Sequence, residues 1–298
     1  MFSQYNYYTK QMGCDVNMTF VAESAKEADL YFTQAHKMIQ KYERVFSRFD
    51  EGSELSELNT KKSRKISRLF REVYFVAESL YRETEGIFNP LVQLDHIGYD
   101  VSFEKIGEKE SVEKNEEYNN RMEDIVWNGE ELFLQETQKL DFGGFLKGYL
   151  AQKIAQETPG KQGVIINIGG DLYVRGWDEK ENRFVIAIKN PYDEKKDISV
   201  SLCDQALCTS GVYKRKWKHR QQEVHHIIES EKKMSAQKDL LSATVIGENG
   251  ALADAYATSA IVMGSEKARI FFSSKEISFV IINKQGEVMQ SEKLRIII

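Results

Sequence analysis

The chain has 298 residues, of which 41% are hydrophobic and 29% are charged, so it can build a sizeable core and lacks the composition of a disordered protein. Its 46 acidic and 41 basic side chains give a net charge of −5, which argues against a protein that binds nucleic acid or an anionic membrane through general basicity. The three cysteines show no Cys-x-x-Cys spacing, which argues against a disulfide framework and a structural zinc site.

Apolar side chains recur at three- and four-residue steps in two early segments, which predicts two amphipathic helices. The first contains Ala35, Met38, Ile39, Tyr42, Val45 and Phe46, and the second covers residues 66–80 with Gly86 at its C-cap. The polar stretch 47–59 between them could begin another short helix. Residues 103–123, dense in Glu, Lys and Asn, predict a charged surface excursion.

Strand patterns dominate the second half of the chain. Asn128-Gly129 predicts a hairpin between strands at 125–127 and 131–134. Further strands are expected at 163–168, 172–175, 183–189, 198–202, 226–229, 243–247 and 277–283, and helices at 145–156, 251–263 and 265–272. The basic run 214–220 around Trp217 is better explained by a solvated hairpin than by a nucleic-acid site. This mixture, without a regular βαβ rhythm, predicts an α+β fold.

Two glycine-rich turns follow predicted strands. In the first, Asp141 precedes Gly143 and Gly144, and the next helix carries Lys147 in its first turns. Helix-start N–H groups and a lysine suit a phosphate, although an ordinary strand-to-helix turn with a solvated lysine is the alternative. The second turn, residues 169–171, is by default a β-turn after a core strand.

Two further segments carry side chains suited to chemistry. Asp254 and Thr258 are four residues apart, so their oxygens lie on one face of the predicted alanine-rich helix. A buried carboxylate there needs a partner, either Mg²⁺ or a hydrogen bond from a neighbouring loop. His225 and His226 are adjacent, and on a strand they point to opposite faces, so at most one faces a site.

The order of these motifs along the chain resembles the ApbE family, the FAD:protein FMN transferases. The resemblance runs from Met12 to about Gly264. Its segments are residues 12–14, 46–50, 53–59, 86–92, 140–149, 166–176, 208–213, 226–228 and 251–264. It implies an α+β fold of the ApbE type (T-fold-like), with mixed sheets flanked by helices, in a single domain covering residues 1–298.

The resemblance also implies an activity. Members transfer the FMN moiety of FAD through a phosphoester bond to a Ser or Thr of a target protein, with Mg²⁺ as cofactor and with release of AMP. The implied partners are FAD, as substrate, and an acceptor protein with a Thr/Ser flavinylation motif. Two alternative functions also involve a flavin: a FAD pyrophosphatase that forms FMN and AMP, and a non-catalytic flavin-binding protein.

By motif position, the resemblance implies roles for individual residues. His226 is similar to the family's catalytic histidine, and Gly144, Asp254 and Thr258 look like metal ligands, the glycine through its carbonyl. The residues expected to contact FAD are Met12, Phe49, Ile87, Phe88, Asn89, Asp141, Lys147 and Ile227.

This sequence departs from the family pattern at several of these positions. After the histidine the family usually has Asp-Pro-x-Thr-Gly, where this chain has residues 229–233, Glu-Ser-Glu-Lys-Lys. Cys14 stands where threonine is common, and Asn89 where aspartate is common. These departures put transfer and target choice in doubt more than flavin binding.

No apolar run approaches the roughly 18 residues of a membrane helix, and the N-terminal residues show no signal peptide or lipidation cysteine. We therefore expect no membrane span and no nucleic-acid partner. The expected location is the cytoplasm for the chain as written, or an extracytoplasmic, membrane-associated site if a leader has been removed.

Overall fold

Helices and strands alternate irregularly through residues 1–99, 118–160, 162–219, 222–294 and 296–297, which the computed structural model describes. The helices are α1 (Ala25–Phe46), α2 (Glu54–Lys61), α3 (Arg68–Glu83), α4 (Leu146–Glu157), α5 (Gly250–Met263) and α6 (Ser265–Ser274). The strands are β1 (Ser3–Gln11), β2 (Cys14–Ala22), β3 (Ser63–Lys65), β4 (Val126–Trp127), β5 (Glu131–Phe133), β6 (Val164–Ile168), β7 (Asp171–Arg175), β8 (Phe184–Ile188), β9 (Ile198–Leu202), β10 (Gln205–Gly211), β11 (Lys216–His219), β12 (Gln222–His225), β13 (Ile228–Glu229), β14 (Met234–Ser235), β15 (Leu240–Gly247), β16 (Ser278–Asn283), β17 (Val288–Gln290) and β18 (Ile296–Ile297).

An eight-stranded sheet in the order β1-β2-β6-β7-β10-β15-β16-β17 forms the centre of the protein. Every neighbouring pair in this sheet is antiparallel. Helices α4 and α5 pack on β6, β7, β10 and β15, while α1 packs on β1 and β2 and α6 on β16. The main core lies between this helical layer and the sheet, because the strands place alternate apolar residues on that face.

The opposite face of the central sheet is covered by a second, three-stranded sheet in the order β18-β9-β8. Val174 and Leu207 from the large sheet and Val200 and Leu202 from the small sheet belong to one buried apolar cluster. The predicted α+β class with mixed sheets and flanking helices is therefore confirmed. Among the described residues, no helix combines the length and the apolar character that crossing a bilayer requires.

Most predicted elements are present, with ends shifted by a few residues. The predicted short helix is α2, and the Asn128-Gly129 hairpin joins β4 to β5. The helix α3 ends at Glu83 in a Schellman turn, in which the Glu85 N–H donates to the Arg82 carbonyl at 3.1 Å and the Gly86 N–H to the Tyr81 carbonyl at 2.8 Å. Gly86, with φ +80°, lies in the turn that follows.

The basic run around Trp217 is a hairpin, as expected, formed by β11 and β12. The predicted strand 226–229 is shorter, since only Ile228–Glu229 pairs with another strand. Of the predicted charged excursion at 103–123, residues 103–117 lie outside the described residues. At its described end Tyr118 and Met122 are 3% and 5% exposed, so this part is anchored in the protein.

The two central helices cross at glycines that admit no side chain. A Cβ atom on Gly148 of α4 would lie 2.3 Å from the Gly250 carbonyl oxygen and 2.8 Å from Asp254 Cβ. Contacts under 3.0 Å force the backbones apart, so only glycine allows this approach. The crossing fixes the beginning of α4 against the first turns of α5.

Gly148→Ala is therefore expected to lower the free energy of unfolding by up to about 2 kcal/mol, because overpacking costs about 1–3 kcal/mol and the gain in helix propensity is only ~1 kcal/mol. Urea unfolding measures the change. Gly247→Ala in β15 is the matched control, since a Cβ atom there meets nothing within 4 Å, and it should leave stability essentially unchanged. Equal effects of the two substitutions would contradict the close helix crossing.

Candidate functional site

Oxygen atoms from α5 face the beginning of α4. Asp254 is 2% exposed, and its Oδ2 accepts a hydrogen bond from the Gly148 N–H at 3.0 Å. Thr258 Oγ1 donates to the Gly144 carbonyl at 3.4 Å and lies 3.0 Å from Ser210 Oγ at the end of β10. The structure thus brings the three predicted metal ligands together, with a carboxylate, a hydroxyl and a carbonyl as donors.

The Asp254 carboxyl is electrostatically unusual. Its pKa is raised to about 7, because burial and the nearby Asp171 raise it by more than Lys147 and the Gly148 N–H lower it. Without an added cation, ionised Asp254 is therefore costly in the folded protein. Such a carboxylate is typical of a site that receives a positive ligand.

Lys147 in the first turn of α4 forms an ion pair with Asp171 at the start of β7. Asp171 is 1% exposed, and its Oδ1 accepts a hydrogen bond from the Thr209 N–H at 3.1 Å. Burial alone would lower the pKa of Lys147, but Asp171 and Asp254 raise it above its usual value, so the amine stays protonated. The alternative of a solvated lysine does not hold, because the Lys147 side chain is 24% exposed and held by a buried carboxylate.

Asp141 lies at the edge of the same region. Its Oδ1 accepts from the Gly143 N–H at 2.7 Å, and its Oδ2 lies 3.5 Å from the guanidinium of Arg48. That guanidinium lies over both the Phe49 and the Tyr99 ring, at 4.4 and 4.1 Å from their centroids. Phe49 is 46% exposed, so an aromatic face fixed by a cation is available to a planar ligand.

The two adjacent histidines have different environments. His225 Nε2 lies 2.9 Å from the Ala236 carbonyl, and Nδ1 accepts from the Ile227 N–H at 3.3 Å. Because a carbonyl can only accept, the Nε2 atom of His225 carries the proton, and both of its nitrogens are occupied. His226 differs, since its buried Nδ1 has no hydrogen-bond partner among the described residues.

The charge state of His226 follows from its surroundings. Burial, together with the nearby Arg215, His225, Lys147 and Arg48, lowers its pKa to about 3. The imidazole is therefore neutral near pH 7 and can accept a proton. This agrees with the expectation that at most one of the two histidines faces a site.

The remaining residues predicted to contact FAD have different settings, and their contact with FAD stays a prediction. Phe88 is 4% exposed and packs edge-on against Phe145, while its ring borders Gly144. Ile227 is buried in the main core, and Ile87 is half-buried. Met12 occupies the β1–β2 turn with φ +53°, held by a hydrogen bond from its N–H to Glu43 Oε1 at 2.9 Å.

Asn89 differs from the other predicted contacts. It is 7% exposed, and its side chain bonds to Leu91, Asn120 and Ser230. These bonds engage both amide protons and the amide oxygen, so the side chain is committed within the protein. Asn89 therefore stays a predicted FAD-contacting residue, and we expect such a contact to come from its backbone.

The segment after His226 keeps a tight turn without the Pro and Thr-Gly of the family pattern. The Lys233 N–H donates to the Glu229 carbonyl at 2.8 Å, which closes the turn between β13 and β14. Lys233 adopts φ +54° at the position where the family has glycine. The turn therefore forms here with a non-glycine residue in the left-handed region, which is a strained backbone conformation.

Asp171 was not predicted as a site residue, although it belongs to the second glycine-rich turn. A polar residue directly after two glycines at a strand start was the available signal. Arg48 was missed as well, and its role depends on contacts with Phe49, Tyr99 and Asp141. No spacing rule connects Arg48 with Asp141, which lies far along the chain.

Two observations bear on which ligands a metal ion at this site could have. Among the described residues, no three His, Cys, Asp or Glu side chains cluster as ligands of one metal ion. A cleft of about 590 Å³ is lined by Gln152, Asp204, Glu248 and their neighbours, and no predicted site residue lines it. A metal at Asp254 would therefore need ligands from the backbone, from hydroxyls and from a bound substrate.

Comparison with known proteins gives a consistent assignment. The sequence profile of the ApbE family matches residues 12–281. A protein of Treponema pallidum named FAD:protein FMN transferase is 26% identical, with 82% of this chain and 74% of that protein covered. One of the same name from Klebsiella pneumoniae is 23% identical, with 98% and 93% covered.

Solved structures share the fold. The ApbE protein of Thermotoga maritima has a TM-score of 0.86 at 21% identity, with 97% of each chain covered. The Pseudomonas stutzeri flavinyl transferase ApbE has a TM-score of 0.84 at 17% identity, with 98% of this chain and 95% of that chain covered. With a family profile that matches most of its length, the chain belongs to the ApbE family.

Proposed function

We propose that this chain transfers the FMN moiety of FAD, in a Mg²⁺-dependent reaction, to a Ser or Thr hydroxyl of a target protein and releases AMP. Family membership and the names of the relatives support flavin transfer by an enzyme. The observation that carries the finer proposal is the buried Asp254 beside Thr258, Gly144 and the Lys147–Asp171 ion pair. It joins a candidate cation site to a fixed ammonium group, as a pyrophosphate substrate requires.

The residues present fit a magnesium ion. Asp254, Thr258 and the Gly144 carbonyl offer only oxygen donors, which Mg²⁺ prefers. Mg²⁺ commonly uses one or two carboxylates together with substrate phosphates, so a single carboxylate in this cluster is sufficient. When bound, the ion would neutralise negative charge on the phosphates of FAD.

Lys147 would bind a phosphate oxygen with the donors that Asp171 leaves free. An ammonium group has three donors, and Asp171 engages one of its faces. Because Asp171 is itself fixed by the Thr209 N–H, the ammonium is oriented before substrate arrives. Such preorganisation places positive charge where the reaction needs it, without reorganisation during the reaction.

His226 would accept the proton of the acceptor hydroxyl. The hydroxyl oxygen forms a bond to the phosphorus of the FMN phosphate, and the phosphorus–oxygen bond to AMP breaks. AMP leaves with the electron pair of that bond, while the proton passes to the neutral imidazole. The Nδ1 of His226, which has no hydrogen-bond partner among the described residues, suits this role, whereas the burial that lowers the pKa of the imidazole weakens it as a base.

Incubation with FAD, Mg²⁺ and an acceptor domain that carries a Thr flavinylation motif tests the proposal. We expect the acceptor to gain the mass of FMN while AMP appears in equal amount, and EDTA to prevent both. AMP and free FMN without an adduct would instead identify a FAD pyrophosphatase. Bound, unchanged FAD would identify a non-catalytic flavin-binding protein.

A further inference from the structure

Three polar side chains, of which Asn89 and Ser230 are buried and Asn120 is half-buried, tie the segment after His226 to two distant segments. Asn89 Nδ2 donates to Ser230 Oγ at 2.8 Å and to the Asn120 carbonyl at 2.8 Å. Asn120 Nδ2 donates to the Ser230 carbonyl at 2.8 Å and to Ser230 Oγ at 2.9 Å. We call these three residues the Asn–Asn–Ser cluster.

The side-chain amides of Asn89 and Asn120 each donate two hydrogen bonds within the cluster. Asn89 and Ser230 are 7% and 8% exposed, and the Asn89 oxygen also accepts from the Leu91 N–H at 2.9 Å. Buried amides are costly when unpaired, so replacing one member leaves the others with unmet hydrogen bonds. The cluster therefore behaves as a unit and not as separate surface contacts.

Its location connects it with the histidine. Ser230 occupies the turn between β13 and β14, four residues after His226. Ser235 in β14 is tied to the residue before His226, because its hydroxyl donates to the His225 carbonyl at 2.6 Å. The backbone on both sides of His226 is thus fixed, on one side through the cluster.

The residue types also match one another. In the family pattern described above, aspartate and proline stand at the positions of Asn89 and Ser230. An aspartate has no amide donor and a proline has no side-chain acceptor, so neither could take part in the bond that Asn89 Nδ2 donates to Ser230 Oγ. The two departures are therefore complementary in this structure.

We propose that Asn89, Asn120 and Ser230 are positioning residues that hold the His226 loop in place for proton transfer. This inference rests on the proposed function of His226. None of the three need touch FAD through its side chain, since their polar atoms are used within the cluster. The expected signature is a change in kcat and in the surroundings of the imidazole, with little change in FAD affinity.

Ser230→Ala and Asn89→Asp test this with two matched controls. Ser230→Thr keeps the hydroxyl, and Asn190→Asp alters an asparagine of equal exposure, 7%, away from the cluster. We expect Ser230→Ala and Asn89→Asp to lower kcat roughly tenfold to a hundredfold, since small misplacements of reacting groups have effects of this size. FAD affinity, from flavin fluorescence, should stay within about twofold, and both controls should match the parent chain.

A second measurement does not depend on turnover. The C2–H proton resonance of His226, identified by its absence in His226→Gln, should shift or broaden in Ser230→Ala and keep its position in both controls. An unchanged resonance in a folded Ser230→Ala protein would overturn the positioning role. If the parent chain shows no transfer but the resonance moves as expected, the proposed function fails while the positioning of His226 stands.

Discussion

Asp254→Asn is expected to lower Mg²⁺-dependent FMN transfer by at least about a hundredfold, the effect typical of removing a preorganised electrostatic group. It should do so without lowering the stability of the unliganded protein. Asparagine has the same shape and can still accept the Gly148 N–H bond, so the local fold is kept. What it lacks is the negative charge that a metal ion requires.

The stability expectation follows from the pKa of this carboxyl. Its folded-state pKa is about 7, while in an unfolded chain it is about 4. Between these values the folded protein holds a proton that the unfolded chain has released, so the stability that this group contributes is lost as the pH rises from about 4 to about 7. The asparagine side chain of the variant carries no charge at any pH, so its melting temperature at pH 8 should equal or exceed that of the parent chain.

Thermal unfolding and acceptor mass, measured on the same samples, check this expectation. Ser259→Ala in α5 is the matched control, because its hydroxyl donates only to the Ala255 carbonyl of its own helix. It should keep transfer and stability near those of the parent chain. Undiminished Mg²⁺ dependence in Asp254→Asn would remove this residue from the metal site, and a large loss of stability would assign it a structural role.

Elements with a clear periodicity were predictable from the sequence, and those without one were not. Helices α1 and α3 carry apolar residues at helical spacing, and this pattern can be recognised in the local sequence without knowledge of the fold. Strands β1 and β2 were missed because β1 has mostly polar or exposed residues and becomes a strand only by pairing with β2. Strand β10 was missed for a related reason, since its end, residues 209–211, has no apolar side chain.

The site was predictable where one element carries two functional residues. Asp254 and Thr258 share a helix face by their spacing alone, and the structure places both beside Gly144 and Gly148. Pairs joined by tertiary structure could not be foreseen in the same way. Lys147 meets Asp171 across 24 residues of chain, and Asn89 meets Ser230 across 141, and no local pattern encodes either contact.

His226→Gln is expected to lower transfer by about a hundredfold to ten-thousandfold, the usual contribution of a general base. Glutamine is neutral and similar in size, so FAD binding should change only a few-fold. Acceptor mass and flavin fluorescence separate the two effects. A glutamine variant with full transfer would show that the acceptor hydroxyl loses its proton elsewhere.

The pH profile gives an independent check on the parent chain. Burial and the cations Arg215, Lys147 and Arg48 hold the pKa of His226 below its usual value of about 6.5, so the imidazole stays an acceptor as the pH falls. At saturating Mg²⁺, which keeps Asp254 ionised, kcat/KM should therefore stay level from pH 7 to below pH 6. A decline centred near pH 6.5 in the parent chain would contradict the buried, cation-flanked imidazole.

Comparing His225→Gln with His226→Gln distinguishes a role in proton transfer from a role in stabilising the fold of the segment that contains both histidines. His225 has both ring nitrogens bonded, to Ala236 and Ile227, whereas His226 Nδ1 has no hydrogen-bond partner in the part of the chain that the structure describes. Loss of the His225 bonds should lower the melting temperature and leave the residual kcat/KM with the pH profile of the parent chain. In His226→Gln the melting temperature should change less, while kcat/KM falls by about a hundredfold or more. Equal losses of transfer in both variants, with unchanged pH profiles, would mean that the segment matters as a fold element and that neither histidine takes the proton.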